Sequence, residues 1–173
     1  FPLLTSITFP RTSIPLSIPP HHPMRLLCVC DAAKESIGTA VYVGFRKPNS
    51  TYSCSLLTAK SRISDDTIPR NELGAVLFGT ELLLSVIKAT RREIESVHMF
   101  TDSKISLSWV MSDTKKLEPY VLNRVISIHR MLRWMEQAAR ENCLPIPPVT
   151  LEYIDTSLNP ADLLTKEHIF DPS

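Results

Sequence analysis

The stretch Val97-His98-Met99-Phe100-Thr101-Asp102-Ser103-Lys104 constrains the fold of this chain more than any other. Its apolar start reads as a buried strand, and Ser103 is a preferred N-cap for the helical pattern that follows over 104–111. Asp102 therefore falls at the carboxyl end of a strand, where open α/β sheets hold their ligands. Three further acids stand at comparable junctions. Asp31 ends the run Leu26-Leu27-Cys28-Val29-Cys30, Glu72 lies in the first turn of a long helix opened by Pro69, and Asp162 follows Asn159-Pro160 at the start of a last helix. Four carboxylates gathered at one sheet edge repel one another unless cations lie between them. The expectation is a magnesium site.

The rest of the chain supplies a matching order of elements. Residues 1–23 carry six of the fourteen prolines, with His21-His22 near their end, so they are expected to form an extended or disordered tether. Three runs rich in Val, Tyr, Thr, Leu and Cys follow, at 26–31, 38–45 and 52–59, and the Pro48-Asn49 turn makes the second and third an antiparallel hairpin. Alternating serines in the third suggest an edge strand with one wet face. A helical stripe, Leu73, Val76, Leu77, Leu83, Val86 and Ile87, runs to about Thr90. After the strand ending at Asp102 and its short helix, a second seam needs a helix over about 120–140: Val121, Val125, Ile128, Leu132, Met135 and Ala139. A strand at 149–154 and a short helix at 160–166 complete the order.

Nineteen basic residues against eighteen acidic ones give a formal charge of +1, so a polyanion would have to be gripped by a local basic face. The four cysteines show no C-x-x-C pair and no zinc spacing; Cys28 and Cys30 share one strand face and read as reduced core thiols in a reducing, intracellular compartment. No apolar run is long enough to span a membrane. A first residue other than methionine and the lack of a signal-peptide pattern point to a piece of a longer protein.

The order of elements and acids resembles ribonuclease H. The wording is narrower. Cys30-Asp31-Ala32-Ala33, Lys60-Ser61-Arg62, Ile68-Pro69-Arg70-Asn71-Glu72-Leu73, Phe100-Thr101-Asp102-Ser103-Lys104, Leu107-Ser108-Trp109, Asn123-Arg124-Val125 and Asn159-Pro160-Ala161-Asp162-Leu163 are similar to the ribonuclease H region of Pao/BEL-type LTR retrotransposon polyproteins. The resemblance runs from about Met24 to Lys166. It implies an α/β, ribonuclease H-like fold with a five-stranded mixed sheet flanked by helices, a domain over 24–168 between the tether and a 169–173 tail. The chain departs from the family pattern at Asn71, where an apolar residue is usual, at Ala33, at Lys166-Glu167, and in having no histidine between Tyr153 and Leu158.

What the resemblance implies chemically is hydrolysis of the RNA strand of RNA/DNA hybrids during reverse transcription. Two Mg²⁺ ions, with Mn²⁺ as a substitute, would clamp the scissile phosphate. Asp31 would bridge them, Glu72 and Asp102 would complete the leaving-group side, and Asp162 would hold the nucleophile side. Ser103, Asn123 and Arg124 are candidates for sugar or phosphate contacts, and Lys104, Lys115, Lys116, Arg130 and Arg133 for a non-specific backbone grip. The implied partner is the reverse transcriptase segment of the same polyprotein, in the cytoplasm or in virus-like particles. Asp65, Asp66, Asp113 and Asp155 are read as turn residues, and Trp109 and Trp134 as packing. The competing function is a decayed or domesticated domain that binds nucleic acid or a protein without cleavage. An integrase core, whose last acid is a Glu, and a DEDD exonuclease, with Asp-x-Glu on the first strand, both fit the acids less well.

Overall fold

A computed structural model of the chain describes residues 18–19, 21–47, 50–141 and 146–166, with the backbone alone for 138–141. Most of the tether, the Pro48-Asn49 turn, Cys143, Ala139's side chain and the tail lie outside the described residues. The elements are β1 (Met24–Ala32), β2 (Ser36–Arg46), β3 (Tyr52–Ile63), α1 (Ile68–Ala89), β4 (Ile94–Thr101), α2 (Lys104–Met111), α3 (Pro119–Glu141) and β5 (Val149–Tyr153). They form one five-stranded mixed sheet in the order β3-β2-β1-β4-β5. The first three strands pair antiparallel, whereas β4 runs parallel to β1 and β5 parallel to β4. β3 is an edge strand and mostly exposed, as its serines suggest.

Alternation along β1 divides the molecule into two sides. Leu26, Cys28 and Cys30 enter a core shared with α1 and α3, while Val29 and Asp31 face the opposite side, under the segment that carries Ala161 and Leu164. The two helical seams are buried as their spacing requires: Leu73, Val76, Leu83, Val86 and Ile87 on α1, and Val121, Val125, Ile128 and Met135 on α3. Gly79 lets α1 come down onto β1, since a Cβ there would stand 2.3 Å from Cys30 Sγ and 3.1 Å from Cys28 Sγ. Cys28, Cys30 and Cys54 are free thiols, the first two fully buried.

Two expectations need correction. The last helix is a 3-10 segment of five residues, Pro160–Leu164, because Asn159 caps it through Ala161 N and Thr165 turns back to the sheet before an α-helical register can form. Glu72 sits in the second turn of α1, which begins one residue before Pro69. Trp134, read as a packing residue, is 48 % exposed and packs at the surface, with Lys88 Nζ 4.0 Å above its ring.

Candidate active site

The parallel register of β1 and β4 pairs Cys30 with Thr101, which brings Asp31 and Asp102 side by side at the carboxyl ends of the two central strands. Asp31 is buried, 6 % exposed. Its Oδ2 accepts a hydrogen bond from Thr165 Oγ1. Across β2 its pairing partner is Gly38, over which Leu164 and Thr165 pass so closely that an added Cβ would lie 2.7 Å from Leu164 Cβ. Burial raises the Asp31 carboxyl above its ordinary range against the opposing pull of the Thr165 bond, and the Asp102 and Asp162 carboxylates raise it further. Those three acids therefore share one electrostatic environment.

Asp102 is half-buried and accepts from Thr156 Oγ1 at 2.8 Å. Asp162 lies in the first turn of the 3-10 segment and pairs with Lys166 Nζ. The segment is pinned to β1 by Asn159, whose buried Nδ2 donates to Cys30 O at 3.0 Å. Glu72 joins through Ser103, whose Oγ donates to Glu72 Oε2 at 2.6 Å while accepting from Ser106 N at 3.0 Å. Ser103 is thus the N-cap of α2 and a clamp on Glu72, and only 4 % exposed; its hydroxyl is committed within the protein rather than offered to a sugar.

The other candidates are spread more widely. Lys104, two residues after Asp102, is exposed, its Nζ 4.9 Å above the Tyr153 ring. Lys115 and Lys116 are exposed on the turn Thr114–Lys116, and Asn123 is exposed near the start of α3. Arg124 Cζ stands over the Tyr120 ring, 3.4 Å from its centroid, with Arg70 Cζ at 4.3 Å from the same centroid. It makes a cation–π contact and a 3.3 Å bond to Tyr120 O, and among the described residues it forms no ion pair. Arg130 and Arg133 are exposed roughly 9 and 14 Å further along the axis of α3. Asp113 and Asp155 cap short 3-10 turns, and Asp66 accepts from Tyr120 Oη, Thr67 N and Arg70. Thr165, Thr156, Asn159 and Asn71 are absent from the sequence-based candidates. Asn159 before Pro160 is a legible N-cap signature and Asn71 shows as a departure from the family pattern, but nothing local marks Thr156 or Thr165.

Every candidate ligand is a carboxylate, a donor set that suits Mg²⁺ or Mn²⁺ rather than zinc. A buried carboxylate beside two others is the kind of group whose charged form a divalent cation stabilises. Among the described residues, no three His, Cys, Asp or Glu side chains stand in an arrangement that could hold a metal ion as oriented. Asp31, Glu72, Asp102 and Asp162 instead each engage a protein partner: Thr165, Ser103, Thr156 and Lys166.

The fold is that of a ribonuclease H-like domain. The structure is similar to ribonuclease H1 of Halobacterium salinarum (TM-score 0.50, 11 % identity, 82 % of this chain and 93 % of that one). It is similar also to the N-terminal RNase H domain of rv2228c from Mycobacterium tuberculosis (TM-score 0.52, 13 % identity, 82 % and 91 %). A third neighbour is LC11-RNase H1 in complex with an RNA/DNA hybrid (TM-score 0.50, 16 % identity, 82 % and 92 %). No curated protein sequence matches the chain. The chain belongs to the Pao retrotransposon-like RNaseH-like domain family, whose model matches residues 2–103. That match takes in Asp31, Glu72 and Asp102 and stops short of Asp162.

Proposed function

We propose that this domain is a Mg²⁺-dependent endonuclease that hydrolyses the RNA strand of RNA/DNA hybrids during retroelement reverse transcription, with Mn²⁺ able to substitute. The observation that carries the reading is Asp31, a buried carboxylate beside Asp102 and Asp162 at the carboxyl end of the sheet, in a chain of this family. Asp31, Glu72, Asp102 and Asp162 would hold the ions, which supply a lowered pKa for attacking water and a stabilised leaving oxygen when bound. The protein's own work is positional. Thr165 and Asn159 hold the Asp162 segment against β1, Ser103 aims Glu72, and Thr156 steadies Asp102. Lys104, Lys115, Lys116, Asn123, Arg124, Arg130 and Arg133 are proposed to meet the hybrid's backbone; one structural neighbour is itself bound to such a hybrid. The proposed setting is a cytoplasmic polyprotein in which a reverse transcriptase segment precedes a 24–168 domain.

The engaged state of all four carboxylates favours one rival reading, a domain that binds nucleic acid without cutting it. A labelled hybrid incubated across a Mg²⁺ titration separates the two. Cleavage of the RNA strand that disappears in Asp102→Asn supports the nuclease; binding of the hybrid with no cleavage at any Mg²⁺ or Mn²⁺ concentration sinks it.

A further inference from the structure

A carboxamide in a helix interior is disfavoured by propensity, and a buried one is costly unless all its polar atoms are bonded. Asn71, 1 % exposed in α1, meets that condition by reaching out of its own helix. Its Nδ2 donates to Ala33 O and Lys34 O, each at 3.1 Å, and its Oδ1 accepts from Ser64 Oγ at 2.6 Å. The orientation of the amide is chemically forced, because two carbonyl oxygens can only accept and must face the nitrogen. Ser64 N donates in turn to Glu35 O at 3.0 Å. Of the three carbonyls of the turn 33–35, two are therefore bound from α1 and the third from Ser64, just past the end of β3.

That turn leaves directly from Asp31, and Asn71 directly precedes Glu72. The link through Asn71 joins two carboxylates that lie on separate elements and far apart in sequence, with only Ala32 between Asp31 and the first residue whose carbonyl is bonded. We infer that Asn71 is a positioning residue that sets the backbone of Glu72 against that of Asp31, and so tunes the affinity of the acidic site for a divalent cation. This rests on the reading of that site as a cation centre. An apolar side chain at this position could fill the space but could not bind the turn.

The test is titration of Mn²⁺ alone into the whole chain by isothermal calorimetry, for wild type, Asn71→Leu and Ser64→Ala, at a temperature where all are folded. Hydrogen exchange of residues 33–36 and steady-state cleavage of a hybrid accompany it. Asn71→Leu is expected to weaken Mn²⁺ binding about tenfold, the size typical of an outer-shell partner. It should also lower kcat with KM nearly unchanged and speed exchange at 33–36. Ser64→Ala keeps both bonds to the turn and should bind Mn²⁺ within about twofold of wild type. Should Asn71→Leu fail to fold, Asn71→Ser takes its place, since its short hydroxyl cannot span both carbonyls. Wild-type Mn²⁺ affinity and kcat in a folded Asn71 variant, with only the melting temperature lowered, would overturn the inference alone. A wild-type chain that binds no Mn²⁺ overturns the cation reading and this inference with it.

Discussion

Gly38→Ala probes the joint between the sheet and the acidic segment. The new Cβ would lie 2.7 Å from Leu164 Cβ and 3.2 Å from Thr165 Cγ2. Ordinary carbon contacts fall at about 3.5–4.0 Å, so Leu164 must retreat by close to an ångström or more. A Cβ cannot swing away as a side-chain tip can, hence the backbone of 164–165 has to move and the Thr165 hydroxyl leaves Asp31. Overpacking of a fitted core costs about 1–3 kcal/mol. Here the short 3-10 segment yields more readily than the sheet, which places the loss near 1–2 kcal/mol, or a fall in melting temperature of roughly 2–8 °C for a domain of this size. A hydrogen bond to a charged group contributes about 1.5–3 kcal/mol, and Gly38→Ala should already have removed most of it. Thr165→Val should accordingly destabilise the Gly38→Ala protein by at least about 1 kcal/mol less than it destabilises wild type. Urea unfolding of the four proteins of the cycle measures both quantities. Equal effects of Thr165→Val in the two backgrounds, or a Gly38→Ala protein as stable as wild type, would refute this account of the joint.

Asp31→Asn should stabilise the metal-free protein. The Asp31 pKa is raised on folding, chiefly by burial, so stability falls as pH rises from the unfolded pKa through the folded one, and the deficit persists above it. The gap between variant and wild type in EDTA should open across the acid range and then level off; a gap independent of pH contradicts the assignment. Asp66 has the opposite sign, being held below its ordinary range first by the Tyr120 hydroxyl. Its contribution is present above the unfolded pKa and lost as pH falls through the lower folded value, so Tyr120→Phe should flatten the acid limb of the melting curve, and an unchanged limb counts against it. Lys115→Ala with Lys116→Ala should reduce the salt slope of hybrid binding by about one for each phosphate that the pair neutralises, across all sequences. An unaltered slope removes that pair from the interface.

The legible part of the fold was the part written in local periodicity. Leu73 through Ile87 and Val121 through Met135 mark their helices by spacing alone, and Ser103 declares the start of α2 one residue after Asp102. The three residues that engage Asp31, Asp102 and the 33–34 turn were not legible: Thr165 lies 134 residues from Asp31, Thr156 lies 54 from Asp102, and Asn71 lies 38 from Ala33. A threonine or asparagine has no periodicity to betray its partner. Asn71 was visible only as a departure from an apolar norm, and the hydrogen bonds explain why a polar residue can sit there.

What the sequence alone determined was which acids stand at element ends, because strand and helix boundaries follow from burial and capping within a few residues. What only the tertiary structure decided was how those acids are held: the β1–β4 register sets Asp31 beside Asp102, Gly38 admits Thr165, and Asn71 ties α1 to the turn after β1. Such contacts arise when distant segments pack, and their energy depends on a geometry that no short stretch of chain contains.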